Sequence, residues 1–134
     1  MKIIRFEDIE AWKLGRELSQ RIYEVVNDPK FSKDYGLKDQ ICRASVSVMS
    51  NIAEGFNAGS NAEFTRFLGY AQRSCSELQS QLYIALDQNY ITKELFDNIY
   101  YLSGKTSSKI GAFIKYLKQQ KTINKELRTR NEEQ

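Results

Sequence analysis

The sequence contains no histidine. That absence removes Ser–His–Asp triads, Cys–His pairs, HExxH zinc sites and the ExxH motifs of di-iron bundles. Proline occurs once, at Pro29, so elsewhere no missing amide donor interrupts a long helix. The two cysteines, Cys42 and Cys75, show neither C-x-x-C spacing nor a disulfide framework, and read as small apolar fillers in a reducing compartment. No apolar run approaches the ~18 residues that a membrane span needs. The start, MKIIRFEDIE, lacks the basic-then-apolar pattern of a signal peptide, and the expected location is the cytoplasm. Neither G-x-x-x-x-G-K-S/T nor G-x-G-x-x-G occurs, which leaves no phosphate loop and no dinucleotide fingerprint. The formal net charge is only +3, so composition alone shows no strongly basic nucleic-acid binder.

What remains is helical. A chain of 134 residues with 41% hydrophobic and 28% charged residues suits one globular domain. A first amphipathic segment runs from Asp8, read as an N-cap, to Asn27, with Ala11, Gly15, Leu18, Ile22 and Val25 on its inner face. Asn27-Asp28-Pro29 stops it, because the residue before proline is pushed out of α geometry. A loop through Gly36 leads to a second helix, Leu37 to Gly55, with Leu37, Ile41, Ala44, Val48 and Ile52 as core stripe and Gly55 as its end. Ser60 and Glu63 form a capping box for the third. There Phe64, Leu68, Ala71, Cys75, Leu78, Leu82 and Ala85 keep a 4-3-4-3-4-3 spacing without a break. A sustained 3.5-residue period implies left-handed packing. Thr92 caps a fourth helix carrying Leu95, Ile99, Leu102, Ile110, Phe113, Ile114 and Leu117 and ending at about Lys121. The reading is all-α: an antiparallel, up-down-up-down, left-handed four-helix bundle over 1–121, with a frayed polar tail over 122–134.

Carboxylates are the only catalytic or metal-binding chemistry left open. Glu54 and Glu77 lie near the core stripes of the second and third helices, with Arg43, Arg66 and Arg73 as candidate ionic partners. Paired structural carboxylates are the expectation, since an unpaired buried charge costs several kcal/mol. We expect no enzyme, no cofactor and no metal.

Two surfaces stand out. The second helix carries a second apolar row, Cys42, Val46, Met49 and Ala53, roughly 120° round from the first. Either this helix sits deep inside its own bundle, or the row packs against another copy of the chain. The fourth helix has a patch of small residues, Gly104, Ser107, Ser108 and Gly111. Glycine inside a helix costs about 1 kcal/mol relative to alanine, so a close backbone neighbour is a natural reason, from within the bundle or outside it. The same helix holds a local basic excess, with Lys93, Lys105, Lys109, Lys115, Lys118 and Lys121 against Glu94 and Asp97. Lys105 and Lys109 share a face with Tyr101 and Tyr116, and with Lys115 and Lys118 they make the candidate nucleic-acid strip: ammonium groups for phosphates, rings for exposed bases.

The segment Arg43-Ala44-Ser45-Val46-Ser47-Val48-Met49-Ser50-Asn51-Ile52-Ala53-Glu54-Gly55 resembles the signature of four-helix-bundle proteins encoded in intervening sequences of bacterial 23S ribosomal RNA genes, often labelled S23 ribosomal protein. Phe6-Glu7-Asp8-Ile9-Glu10-Ala11-Trp12 is similar to the family's opening, and Phe64-Thr65-Arg66-Phe67-Leu68 followed by Glu77-Leu78, Gln81-Leu82 and Ala85 to its third helix. The resemblance covers about residues 6–118. It implies a ring-like homopentamer without known enzymatic activity. It also extends to accessory proteins of retroelements, which are basic pentamers that bind nucleic acid and a reverse transcriptase. Two departures bear on architecture: Met49 stands where many members carry proline, and Arg73 where members often carry glycine. Within the motif, Ser47, Asn51 and Glu54 share one polar edge at spacings of four and three, able to bond across to Arg66, Arg73 or a neighbouring subunit. The expectation is a non-catalytic homo-oligomeric scaffold binding RNA or an RNA–protein partner weakly. The alternative is a protein-only adaptor that docks another protein through its apolar and small-residue helix faces.

Overall fold

A computed structural model describes residues 2–133, with the side chains of 121–126, 128, 132 and 133 outside the description. Its elements are a 3-10 turn (Phe6–Asp8), α1 (Glu10–Val25), α2 (Pro29–Ser32), α3 (Tyr35–Phe56), α4 (Asn61–Asp87) and α5 (Lys93–Glu133). The four long helices pack on one another in a cycle: α1 touches α3 and α5, and α4 touches α3 and α5. Gln72 reaches Ser107 while Gln79 reaches Tyr100, so α4 and α5 run in opposite directions. Ser47 meets Ser74 while Gly55 meets Phe64 and Phe67, and the same holds for α3 and α4. Arg21 ties α1 to Asn98 of α5 and also pairs with Glu17 at 2.6 Å.

Local chemistry explains most boundaries. The Ser60 Oγ accepts the Glu63 amide at 3.2 Å and the Thr92 Oγ1 accepts the Leu95 amide at 3.1 Å, which starts α4 and α5 as their sequences predict. The other half of the expected capping box does not form: the Glu63 carboxylate pairs with Arg66 at 2.6 Å instead of returning to the Ser60 amide. Asp8 does not cap α1, whose N-cap is Ile9. Its carboxylate accepts the amides of Ile4 and Arg5 at 3.1 and 3.2 Å, and those two bonds hold its pKa below the usual value. The expected long loop contains a helical turn, α2, with Pro29 in the first position and the Asp28 carboxylate on the Lys30 amide at 2.9 Å. α3 then starts on Asp34, whose Oδ1 accepts the Leu37 amide at 3.1 Å. Its Oδ2 accepts the Tyr90 hydroxyl at 3.0 Å, which pins the α4–α5 turn, where Asn89 has φ 61°, to the start of α3. That bond raises the Tyr90 pKa. α5 does not end at Lys121; its backbone continues to Glu133, because no glycine or proline follows Gly111 to stop it. Residues 122–133 of the expected tail lie in this continuation, while Gln134 and most of the tail's side chains are outside the described residues.

The core is where the periodicities put it on α3 and α4: every member of both stripes is buried. Fully burying one leucine stabilises by roughly 1.5–3 kcal/mol. On α1, Ile9, Leu14 and Val26 are buried and Val25 only half so. α5 departs more. Leu95 is 42% exposed and Phe96 is buried in its place. The inner row continues Ile99, Ser103, Thr106, Ile110, with both hydroxyl residues buried. Their polarity is met by helix backbone: Ser103 Oγ donates to the Cys75 carbonyl at 3.2 Å and Thr106 Oγ1 to the Leu102 carbonyl at 2.7 Å. Burial also pushes the Cys75 thiol up to about 11.

Candidate functional site

The motif helix contributes first to architecture. A Cβ added at Gly55 would lie 2.8 Å from the Phe67 Cβ and 3.0 Å from the Phe64 ring. Gly55 is therefore the crossing point of α3 on α4 and lies inside α3, which ends at Phe56. The polar edge also closes on α4, though on a different residue from those expected. Asn51 Nδ2 donates to the Ser47 carbonyl at 2.8 Å and to Ser47 Oγ at 2.9 Å. Ser74 Oγ donates to the same Ser47 oxygen at 2.9 Å. Arg66 and Arg73 are elsewhere: Arg66 is on Glu63 and over the rings of Phe67 and Tyr70, and Arg73 is over Tyr70 at 5.6 Å. Glu54 is exposed.

The two carboxylates do not converge. Glu77 is exposed and shares a shallow groove with Ala44, Ser47 and Gln81. Glu54 stands ten residues further along α3 than Ala44, about 15 Å at 1.5 Å per residue. Arg43 pairs with Asp39 at 2.9 Å. Among the described residues no group of three or more His, Cys, Asp or Glu side chains could hold a metal ion. Among them, too, no helix is long and apolar enough to cross a membrane.

The second row of α3 divides. A Cβ at Gly15 would lie 3.3 Å from the Met49 Cβ, so Met49 sits at the crossing of α1 and α3. α3 runs through Met49 as one helix. Cys42 and Ala53 are half-buried, and burial raises the Cys42 pKa. Val46, by contrast, is 38% exposed, and with Tyr23, Cys42 and Arg43 it lines a groove between α1 and α3. The row is neither wholly internal nor one open face.

The small patch of α5 is explained from within the chain. Gln72 Nε2 donates to the Ser107 carbonyl at 3.2 Å, and Gln79 Nε2 to the Tyr100 carbonyl at 3.4 Å. In a helix each carbonyl also takes the amide four residues on, here those of Gly111 and Gly104. A Cβ at Gly111 would lie 3.0 Å from Gln72 Nε2, and one at Gly104 3.6 Å from Gln79 Nε2. Glutamine, carbonyl and glycine thus repeat together one heptad apart. Glycine gives each amide room to reach a carbonyl that the helix already uses. Only an interhelical view finds the glutamines; in sequence they are ordinary polar residues.

All six residues of the expected nucleic-acid strip are exposed. Lys93 pairs with Asp97 at 2.7 Å, whereas no ion pair holds Lys105 or Lys109 among the described residues. Their neighbours one turn away are Tyr101, Phe113 and each other. Lys115 and Lys118 follow about two to two and a half turns further along α5. Beside the strip lies an aromatic cluster the sequence reading missed. Tyr100 stacks on Phe96 (5.3 Å, 27°) and meets Tyr83 edge-on (5.8 Å), and the Tyr83 hydroxyl contact raises the Tyr100 pKa. A groove between α4 and α5 opens at this cluster, bordered by Gln79, Asp97, Tyr100, Tyr101, Gly104, Lys105 and Ser108.

The relatives of the chain agree with this architecture. The crystal structure of a protein with unknown function from the S23 ribosomal protein family of Bacteroides thetaiotaomicron VPI-5482 superposes with a TM-score of 0.72 at 26% identity, covering 78% of this chain and 98% of that one. No curated protein matches the chain. The profile described as 23S rRNA-intervening sequence protein matches residues 7–112, which include the Gly55 crossing, the Ser47–Asn51–Ser74 network and both glutamine–glycine pairs. The chain belongs to the 23S rRNA-intervening sequence protein family.

Proposed function

We propose that this protein is a non-catalytic scaffold: a left-handed, up-down-up-down bundle that assembles with its own copies into a closed ring, a pentamer, and holds RNA on the outer face of α5. The observation that carries the reading is the Lys105–Lys109 pair. Two lysines one helical turn apart repel, and like charges at that spacing cost a few tenths of a kcal/mol. Elsewhere α5 relieves a lysine with a carboxylate, as Lys93 has Asp97; here it supplies none. A polyanion would relieve both at once, with release of its counterions. One subunit offers few such contacts, and a ring repeats them, so avidity raises the apparent affinity without any new contact. The unbroken 3.5-residue stripe of α4 supports the left-handed supercoil, and exposed Val46 beside Tyr23 supports a contact between copies.

Light scattering on the eluting protein should report a closed oligomer well above 15.6 kDa. Val46→Glu should shift it to smaller species with helicity kept, since an unpaired charge in a desolvated contact costs about 2 kcal/mol or more. Met49→Glu should cost stability as well as assembly, because half-buried Met49 sits at the crossing of α1 and α3. RNA anisotropy across a salt series should fall steeply, with a shallower slope for Lys105→Gln/Lys109→Gln. A monomeric wild type sinks the ring, and absence of RNA binding at ~50 mM salt sinks the RNA reading. In that case the groove of Tyr23, Cys42 and Val46 favours the second reading, a protein-only adaptor.

A further inference from the structure

We propose that the groove beside Tyr101 seats an unpaired nucleobase, so that the RNA held by α5 is single-stranded. The inference rests on the RNA reading above and names the part of the ligand that is recognised. Tyr101 is 72% exposed, and no other ring packs on it among the described residues. Its neighbour Tyr100 is fixed between Phe96 and Tyr83. One ring is therefore free to stack while the next forms a rigid wall. Between them and α4 the surface is open because Gly104 carries no side chain; the nearest atom to a Cβ there would be Gln79 Nε2 at 3.6 Å. That nitrogen is engaged by the Tyr100 carbonyl, which leaves the Gln79 Oε1 as an acceptor, and the Ser108 hydroxyl can donate or accept. A base edge presents donors and acceptors of its own, so this groove chemistry is complementary to it.

Charge order sets the orientation. Asp97, Tyr101, Lys105 and Lys109 follow one another at one-turn spacing, carboxylate at one end and ammonium groups at the other. Asp97 is already paired with Lys93 at 2.7 Å, so that end offers phosphates no unpaired cation, whereas Lys105 and Lys109 draw them, which leaves Tyr101 and the groove for the base. A duplex cannot use this seat, because its bases are stacked on each other; it engages the lysines alone. A single strand gains the stacking as well, and loss of one such ring lowers affinity about 5- to 150-fold.

The test uses the full chain and two fluorescent probes at ~50 mM salt, an oligoadenylate and a blunt RNA duplex of the same length. The oligoadenylate should bind more tightly. Tyr101→Ala should weaken it about 10-fold and leave the duplex unchanged, while Tyr101→Phe, which keeps the ring, should bind like wild type. Lys105→Gln/Lys109→Gln should weaken both probes. Equal binding of the oligoadenylate by Tyr101→Ala and wild type, with the lysine variant still weakened, overturns the base seat and leaves the RNA reading standing. Tighter binding of the duplex overturns the seat as well. Binding of neither probe overturns both.

Discussion

Gly55→Ala tests how closely α3 and α4 cross. The added methyl carbon would lie 2.8 Å from the Phe67 Cβ, 3.0 Å from Phe64 Cδ1 and 3.3 Å from the Phe64 carbonyl oxygen, where carbon atoms prefer about 3.5–4.0 Å. Because the nearest atom is a Cβ, no side-chain rotation clears it; the helices must part by about 1 Å. A gap of that size forfeits about a quarter to a half of each contact it opens, including those of buried Ile52 and Phe64. Overpacking costs about 1–3 kcal/mol, and with backbone-attached atoms in the way the upper end applies. Alanine returns about 1 kcal/mol of helix propensity, so the net loss is about 2 kcal/mol. For a chain of this size the midpoint should fall by about 6–10 °C in thermal unfolding followed by circular dichroism. Phe67→Ala should not rescue the variant, because it keeps the offending Cβ. A Gly55→Ala protein as stable as wild type would refute the close crossing and restore Gly55 as a helix terminator.

The heptad-spaced glycines of α5 should respond unequally. Gly104→Ala meets only ordinary contact and should gain about 1 kcal/mol. Gly111→Ala displaces the Gln72 amide and should be close to neutral, the propensity gain offset by a lost hydrogen bond of about 1 kcal/mol; urea unfolding that ranks them the other way refutes the arrangement. Cys75 should make stability fall with alkaline pH. Its folded pKa of about 11 lies above the ordinary 9.0, so the unfolded chain loses its proton first. The contribution is whole below pH 9 and is lost between 9 and 11, about 2–3 kcal/mol in all. The difference in stability between wild type and Cys75→Ala should therefore shrink over that window, and a difference constant with pH contradicts the burial.

Much of what is local is legible in the residues, though Asp8, expected to cap α1, instead binds the amides of Ile4 and Arg5. The stripes of α3 and α4 are buried because a 3.5-residue apolar period allows a helix only one inner face. Ser60 and Thr92 cap because a free amide three residues on has no other acceptor. The first segment closes ahead of Pro29, where Asp28 leaves α geometry with ψ 135°. The family was legible too, in the segment from Arg43 to Gly55. Other features depend on which helix lies opposite, and no period encodes that. Ser103 and Thr106 are inside because their hydroxyls find carbonyls, which hydrophobic patterning cannot count. Phe96 displaces Leu95 because Tyr83 and Tyr100 pack around its ring. Gly55 looked like a stop and serves as a crossing, since glycine's missing Cβ has the same signature in either role. Gln72 and Gln79 acquire meaning only opposite Gly111 and Gly104. The basic strip could be named from spacing, whereas the groove beside Tyr101 exists only because α4 brings Gln79 and Tyr83 against α5. Periodicity and capping are properties of one helix, readable from its own residues; a site between helices is a property of their register, and that is decided by the packed tertiary structure.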